Sequence, residues 1–142
     1  MNNPDIGKLI LRIALGFMML LHGIDKLLHG VSGIAGMLNS HGLPGWLAFG
    51  VFIGEIVAPL MVLLGIQTRI GAGLMVINML FAILLAHAHQ IFSLTSHGGW
   101  GIELQAFYLF TAAALVFLGG GKYVLKNRSQ KAGAAGLPRL NP

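Results

Sequence analysis

The chain has 142 residues, of which 56% are hydrophobic and only 9% charged, and it holds no cysteine. Its mean hydropathy is +0.80. A soluble domain carries roughly 25% charged residues, so this sequence lacks the polar surface that water demands. A soluble enzyme, a disordered regulator and a disulfide-stapled secreted module are all poor readings, and the length points to one domain. An integral membrane protein remains.

Crossing the hydrocarbon core takes roughly 20 consecutive apolar residues. Four stretches offer this, at 6–28, 46–66, 70–91 and 101–119. None alternates with the period of a barrel strand. Lipid offers no partner to a free backbone group, so the stretches are helices. The expected fold is all-α: a membrane-embedded four-helix bundle, one domain over 1–125. The alternative, a soluble bundle of buried helices, lacks the polar exterior to stay in water.

In chain order, Asn3-Pro4-Asp5 supplies a capping side chain, a first-turn proline and an acid where the first helix begins. The segment 33–40 is too short to span and is read as a short interfacial helix between spans one and two, with a plain loop as the alternative. Leu43-Pro44-Gly45-Trp46 starts the second span, with Trp46 suited to the membrane–water interface. Gly65-Ile66-Gln67-Thr68-Arg69 is so short a turn that spans two and three must be antiparallel neighbours. Ser96-His97-Gly98-Gly99-Trp100 is a polar loop before span four, and Gly119-Gly120-Gly121 ends that span. Residues 126–142 form a basic, then Ala/Gly/Pro-rich tail expected to be disordered.

Charge sets the expected orientation. Lys8, Arg12, Arg69, Lys122, Lys126, Arg128, Lys131 and Arg139 all fall on one side of a four-span chain, and Lys26 stands alone on the other. Basic loops stay in the cytoplasm, which places both termini there, in a bacterial cytoplasmic membrane. The formal charge of +5 then reflects topology and attraction to anionic lipid, the lipid bilayer being the first partner. No basic stripe interleaves with aromatics, so nucleic acid is not an expected partner. Span one is too long, and lacks the small-residue cleavage site, to read as a signal peptide.

The scarce polar groups inside the spans are the informative ones, because ionisable residues in lipid are costly and face the bundle interior. Span one ends with His22, Asp25, Lys26 and His29, a spacing that collects them on one helix face. Glu55 lies near the centre of span two, one turn before Pro59; Asn78 is central in span three, which ends with His87 and His89; Glu103 and Gln105 open span four. His22, Asp25, Lys26, Glu55, His87 and Glu103 are therefore the candidate residues of a polar pocket towards the outer leaflet. The plain alternative is that groups near helix ends snorkel to the interface, while the acids and Lys26 merely pair. A haem or metal centre is disfavoured: no Glu-x-x-His pair, no H-E-x-x-H and no thiol occurs. Gly50, Gly54 and Ala58 form a small-residue ridge for close helix approach.

The sequence resembles the DoxX family of small bacterial membrane proteins. The resemblance rests on His22-Gly23-x-x-Lys26-Leu27, Gly42-Leu43-Pro44, Glu55, Gly65-x-x-Thr68-Arg69-x-x-Ala72, Glu103 and Gly119-x-Gly121-x-Tyr123, across residues 6–125. It implies a four-helix membrane bundle linked to redox complexes, and relatives include a subunit of a thiosulfate:quinone oxidoreductase. No catalytic residue set carries over. Two functions follow as expectations. One is a redox-associated membrane component whose pocket binds a quinone-like ring entering from the lipid, with His22, Lys26 or Glu103 bonding its oxygens and Glu55 exchanging protons. The other is a non-catalytic anchor for a redox partner protein or an assembly factor, with a homo-oligomer as a further possible partner. A solute transporter ranks last, because the halves show no repeat and no span looks broken at mid-membrane.

Overall fold

The computed structural model describes residues 3–125, and the expected tail over 126–142 lies outside them. Among the described residues the chain is helical, with one isolated bridge between Leu94 and Trp100. Helix α1 spans Pro4–His29, α2 Ser32–Ser40, α3 Gly45–Leu64, α4 Thr68–Ala86 and α5 Glu103–Leu118. The expected short helix after span one is thus present as α2. Three helices, α1, α3 and α4, are long and apolar enough to cross a membrane, and α5 is a shorter apolar helix of 16 residues.

Local chemistry explains the ends. Pro4 opens α1, where its missing N–H costs nothing; Asn3 sits at the capping position but makes no side-chain cap bond. Gly65 closes α3 in the left-handed region at φ 73°, which lets the Ile66 N–H reach back to the Met61 carbonyl at 2.9 Å. The third span was expected to run to residue 91, yet α4 stops at Ala86. His87 leaves the helix there, its ring held by side chains outside α4, and a single 3-10 turn, Ala88–Gln90, follows.

Span two corrects the expectation of an unbroken helix. It opens as 3-10 turns over Gly45–Gly50 and carries a π turn over Ile53–Val57, where the Ala58 N–H reaches the Ile53 carbonyl. Pro59 offers no N–H four residues after Glu55, so the ordinary bond to the Glu55 carbonyl cannot form. The widened turn carries Glu55 at its centre, as π turns at functional sites do.

The helices pack in the cyclic order α1, α3, α4, α5, with α2 lying across the start of α3. Leu15, Met19, Val62, Met75, Tyr108 and Leu115 belong to the buried core. Only 28% of the apolar window of α1, and the same share of α4, is buried inside the molecule. The rest of the apolar surface faces outward, as a lipid-solvated bundle requires. Lipid gives helices no hydrophobic reason to associate, so close packing must hold them. Glycine provides it. A Cβ at Gly71 would sit 2.9 Å from the Ala58 carbonyl oxygen and one at Gly16 2.6 Å from Leu63, while side chains at Gly23 and Gly54 would collide with the Glu55 carbonyl and with Asn78.

The two ends of the bundle differ. At the end holding both described termini, Arg12 is 1% exposed. Its Nε donates to the Val62 carbonyl at 2.8 Å and Nη2 to that of Leu63 at 2.8 Å, both in the last turn of α3. Its Nη1 donates to the carbonyls of Gly120, at 3.0 Å, and of Tyr123. The planar fork thus caps one helix and fastens the strand of chain after α5. Lys122 adds a backbone bond to the Asp5 carboxylate at 3.2 Å, and Leu125 one to the Leu64 carbonyl at 3.0 Å.

Candidate functional site: a polar cavity at the Lys26 end

At the opposite end the helices enclose a cavity of about 550 Å³. Most of its wall is aliphatic or aromatic, contributed by α1, α2, α3, α4 and α5. The polar lining consists of His22 and Lys26 from α1, Glu55 from α3, Asn78 from α4, His87 just beyond it, and Gln105 and Tyr108 from α5. Each of the four bundle helices supplies a different piece, and the π turn in α3 supplies the acid.

Glu55 is 5% exposed and both its oxygens are engaged. Lys26 Nζ donates to Oε2 at 2.5 Å, and Asn78 Nδ2 makes a longer bond to Oε1 at 3.4 Å. Gly54 is what lets Asn78 in, since any side chain there would strike it. Gly23 lets α1 lie directly on the Glu55 backbone, which carries Lys26 within reach of the carboxylate. The lysine side chain keeps 24% of its surface, so the pair is not sealed. Lys26 also lines a second, more open groove between α1, α2 and the start of α3, with Val31, Phe49 and Phe52.

Two histidines complete the lining, and they are held differently. His22 Nε2 shares a 3.3 Å hydrogen bond with the Tyr108 hydroxyl, and the two rings meet edge-on at 85° with centroids 5.8 Å apart. His87 is bonded through both nitrogens: Gln105 Nε2 donates to its Nε2 at 3.1 Å, and its Nδ1 donates to Gln90 Oε1 at 3.0 Å. Among the described residues no three of His, Asp and Glu converge closely enough to hold a metal ion. Lys26 and Glu55 are the oppositely charged pair of the lining.

Four of the six residues singled out from sequence line this cavity: His22, Lys26, Glu55 and His87. Asp25 does not. It turns outward with 69% of its side chain exposed and pairs with His29 one turn on, at 2.9 Å. The expected single face of His22, Asp25, Lys26 and His29 is therefore split, because only the first and third positions meet the bundle. Glu103 is exposed too, beside the Gly99 turn. Tyr108 was missed. A tyrosine within the apolar run of α5, one turn after Glu103 and Gln105, was the available signal. The Gly50–Gly54–Ala58 ridge meets α4 within this chain at Gly54 and Ala58, whereas Gly50 faces open space.

Comparison with known proteins places the chain in a family. A Bacillus subtilis protein named "Putative oxidoreductase CatD" is 31% identical over 115 residues, covering 81% of this chain and 81% of its own. A Haemophilus influenzae protein carrying no functional name is 31% identical over 121 residues, covering 83% of this chain and 87% of its own. No solved structure matches the chain. The DoxX family model matches residues 7–88, which include all but the first turn of α1, the whole of α2, α3 and α4, and the Lys26–Glu55 pair. The chain is a membrane protein of the DoxX family.

Proposed function

We propose that the protein is a redox-associated membrane component that takes a quinone-like ring into the cavity at the Lys26 end. One observation carries the reading: a buried acid paired with a partly exposed lysine stands at the polar side of an otherwise apolar chamber, with a Tyr108–His22 pair lining the same chamber. Pockets of roughly 300–1,000 Å³ with apolar walls and a few placed polar groups are the usual form of small-molecule sites. A quinone ring is flat and apolar with two oxygens that accept hydrogen bonds. Lys26 has N–H bonds beyond the one given to Glu55 with which to serve one oxygen, and the Tyr108 and His22 pair serves the other. Glu55, held between Lys26 and Asn78, is the carboxylate available to exchange protons with the ring.

The oxidoreductase name of the Bacillus subtilis relative supports a redox setting. The basic residues Lys8, Arg69 and Lys122 collect at the Arg12 end, which supports a cytoplasmic position for that end and an outer-leaflet position for the cavity. The test is titration of the purified protein with a benzoquinone, followed by calorimetry. Wild type should bind, and Glu55→Gln and His22→Ala should each weaken binding by about tenfold or more. Unchanged binding in both folded variants would remove the ring from this cavity. A clean apoprotein that binds no ring but travels with a stoichiometric soluble partner would leave the anchoring role instead.

A further inference from the structure

The seam between α3 and α4 has two regimes. From the Arg12 end it is closed: Gly71 packs against the Ala58 carbonyl, and Gly54 against Asn78. One turn further towards the Lys26 end, a side chain at Gly50 would meet nothing within 4 Å. Close packing therefore stops at the level of Glu55 and Asn78, and the two helices part beyond it. The residues flanking the gap line the cavity and the outside at once: Ile53 is 52%, Ile77 52% and Phe81 57% exposed. These three are apolar and lie on membrane-spanning helices, so the gap opens into lipid. Ile34, Met37 and Leu38 of α2 lie over the other side of the chamber, and Leu38 is 6% exposed.

We infer that the ligand is a tailed lipophile whose neutral ring rests against Lys26 and Glu55 and whose aliphatic tail leaves sideways between α3 and α4, past Gly50. This rests on the ring-binding reading above. The Lys26–Glu55 pair selects the ring's class. Lys26 already faces the Glu55 carboxylate at 2.5 Å, so a phosphate or other anionic headgroup would have to break that pair to gain a cation. A neutral ring needs only hydrogen bonds. The walls select the tail: beyond the polar floor the gap offers only aliphatic and aromatic contact. Gly50 is then the threshold of the path, and its missing side chain is what keeps the path open.

The experiment uses the full chain in lipid nanodiscs and two probes, a decyl-tailed benzoquinone and the same ring without the tail. The quantity read is the dissociation constant of the bare ring divided by that of the tailed one. Gly50→Leu fills the open space and should lower this ratio by about tenfold. Phe81→Trp narrows the gap from α4 and should lower it in the same sense, which keeps the test alive where Gly50→Leu folds poorly. A ratio equal to wild type in both variants, with both probes bound, overturns the lateral path and leaves the ring site standing. Failure of wild type to bind either probe overturns the ring site, and the tail path falls with it.

Discussion

Arg12 and Lys26 both lie on α1, towards opposite ends of the bundle, and their surroundings differ. Arg12 spends its guanidinium on four backbone carbonyls and is almost wholly buried. Lys26 has one carboxylate partner, keeps part of its surface, and borders two openings. A cation whose donors are all consumed by the chain's own backbone is a fastening. One that is held in place yet retains free N–H bonds at a cavity wall is equipped to meet something that comes and goes. The same contrast runs through the α3–α4 seam, which is closed below Glu55 and open above it.

That contrast can be broken from the Arg12 side first. Arg12→Ala leaves four backbone carbonyls without their donor, the bond to Val62 fully buried among them, and the loss should reach about 3–5 kcal/mol, read as a large fall in thermal midpoint in detergent. Arg12→Lys should recover less than half, because a point charge cannot span the same carbonyls. A midpoint within a few degrees of wild type for Arg12→Ala would show that the fastening is idle. Gly23→Ala comes next. Its methyl strikes the Glu55 backbone, so α1 must back away from α3, at about 1–3 kcal/mol. It should also weaken ring binding by lengthening the Lys26–Glu55 approach, whereas Arg12→Lys should leave binding alone.

At the Lys26 end, Glu55→Gln should cost only about 1–2 kcal/mol, since Lys26 keeps a route to the interface. The double variant Lys26→Met/Glu55→Gln should regain most of that stability and none of the binding. Stability and binding lost and recovered together would make the pair structural glue. The smallest effect belongs to Asp25→Asn, whose exposed pair with His29 should contribute less than about 0.5 kcal/mol. Its binding curve should overlay that of wild type, and any shift there would bring Asp25 back into the site.

Hydropathy made the four spans, the antiparallel turn at Gly65–Arg69 and the short helix after span one legible, because a bilayer imposes length and apolarity on each segment separately. Spacing along α1 was a weaker guide. Residues at steps of three and four share a broad face, yet only His22 and Lys26 fall on the part that lines the cavity, and Asp25 and His29 fall beside it. Pro59 was visible, but the π turn it accompanies depends on how α1 and α4 press on α3. Tyr108 reads as one more core aromatic until α1 is laid against α5.

The few charges that marked this chain as a membrane protein turn out to have been divided by packing into two kinds. Sequence alone determined the class, the spans and the asymmetry of basic residues, since these are sums over local composition. Only the tertiary structure decided that Arg12 is enclosed by carbonyls and that Lys26, Glu55, His22 and Tyr108 meet around a chamber. Those meetings join residues 29 to 86 positions apart, between α1 and α3 and between α1 and α5. Glycines at 23 and 54 permit these approaches, and no local pattern records which surface a missing side chain will admit.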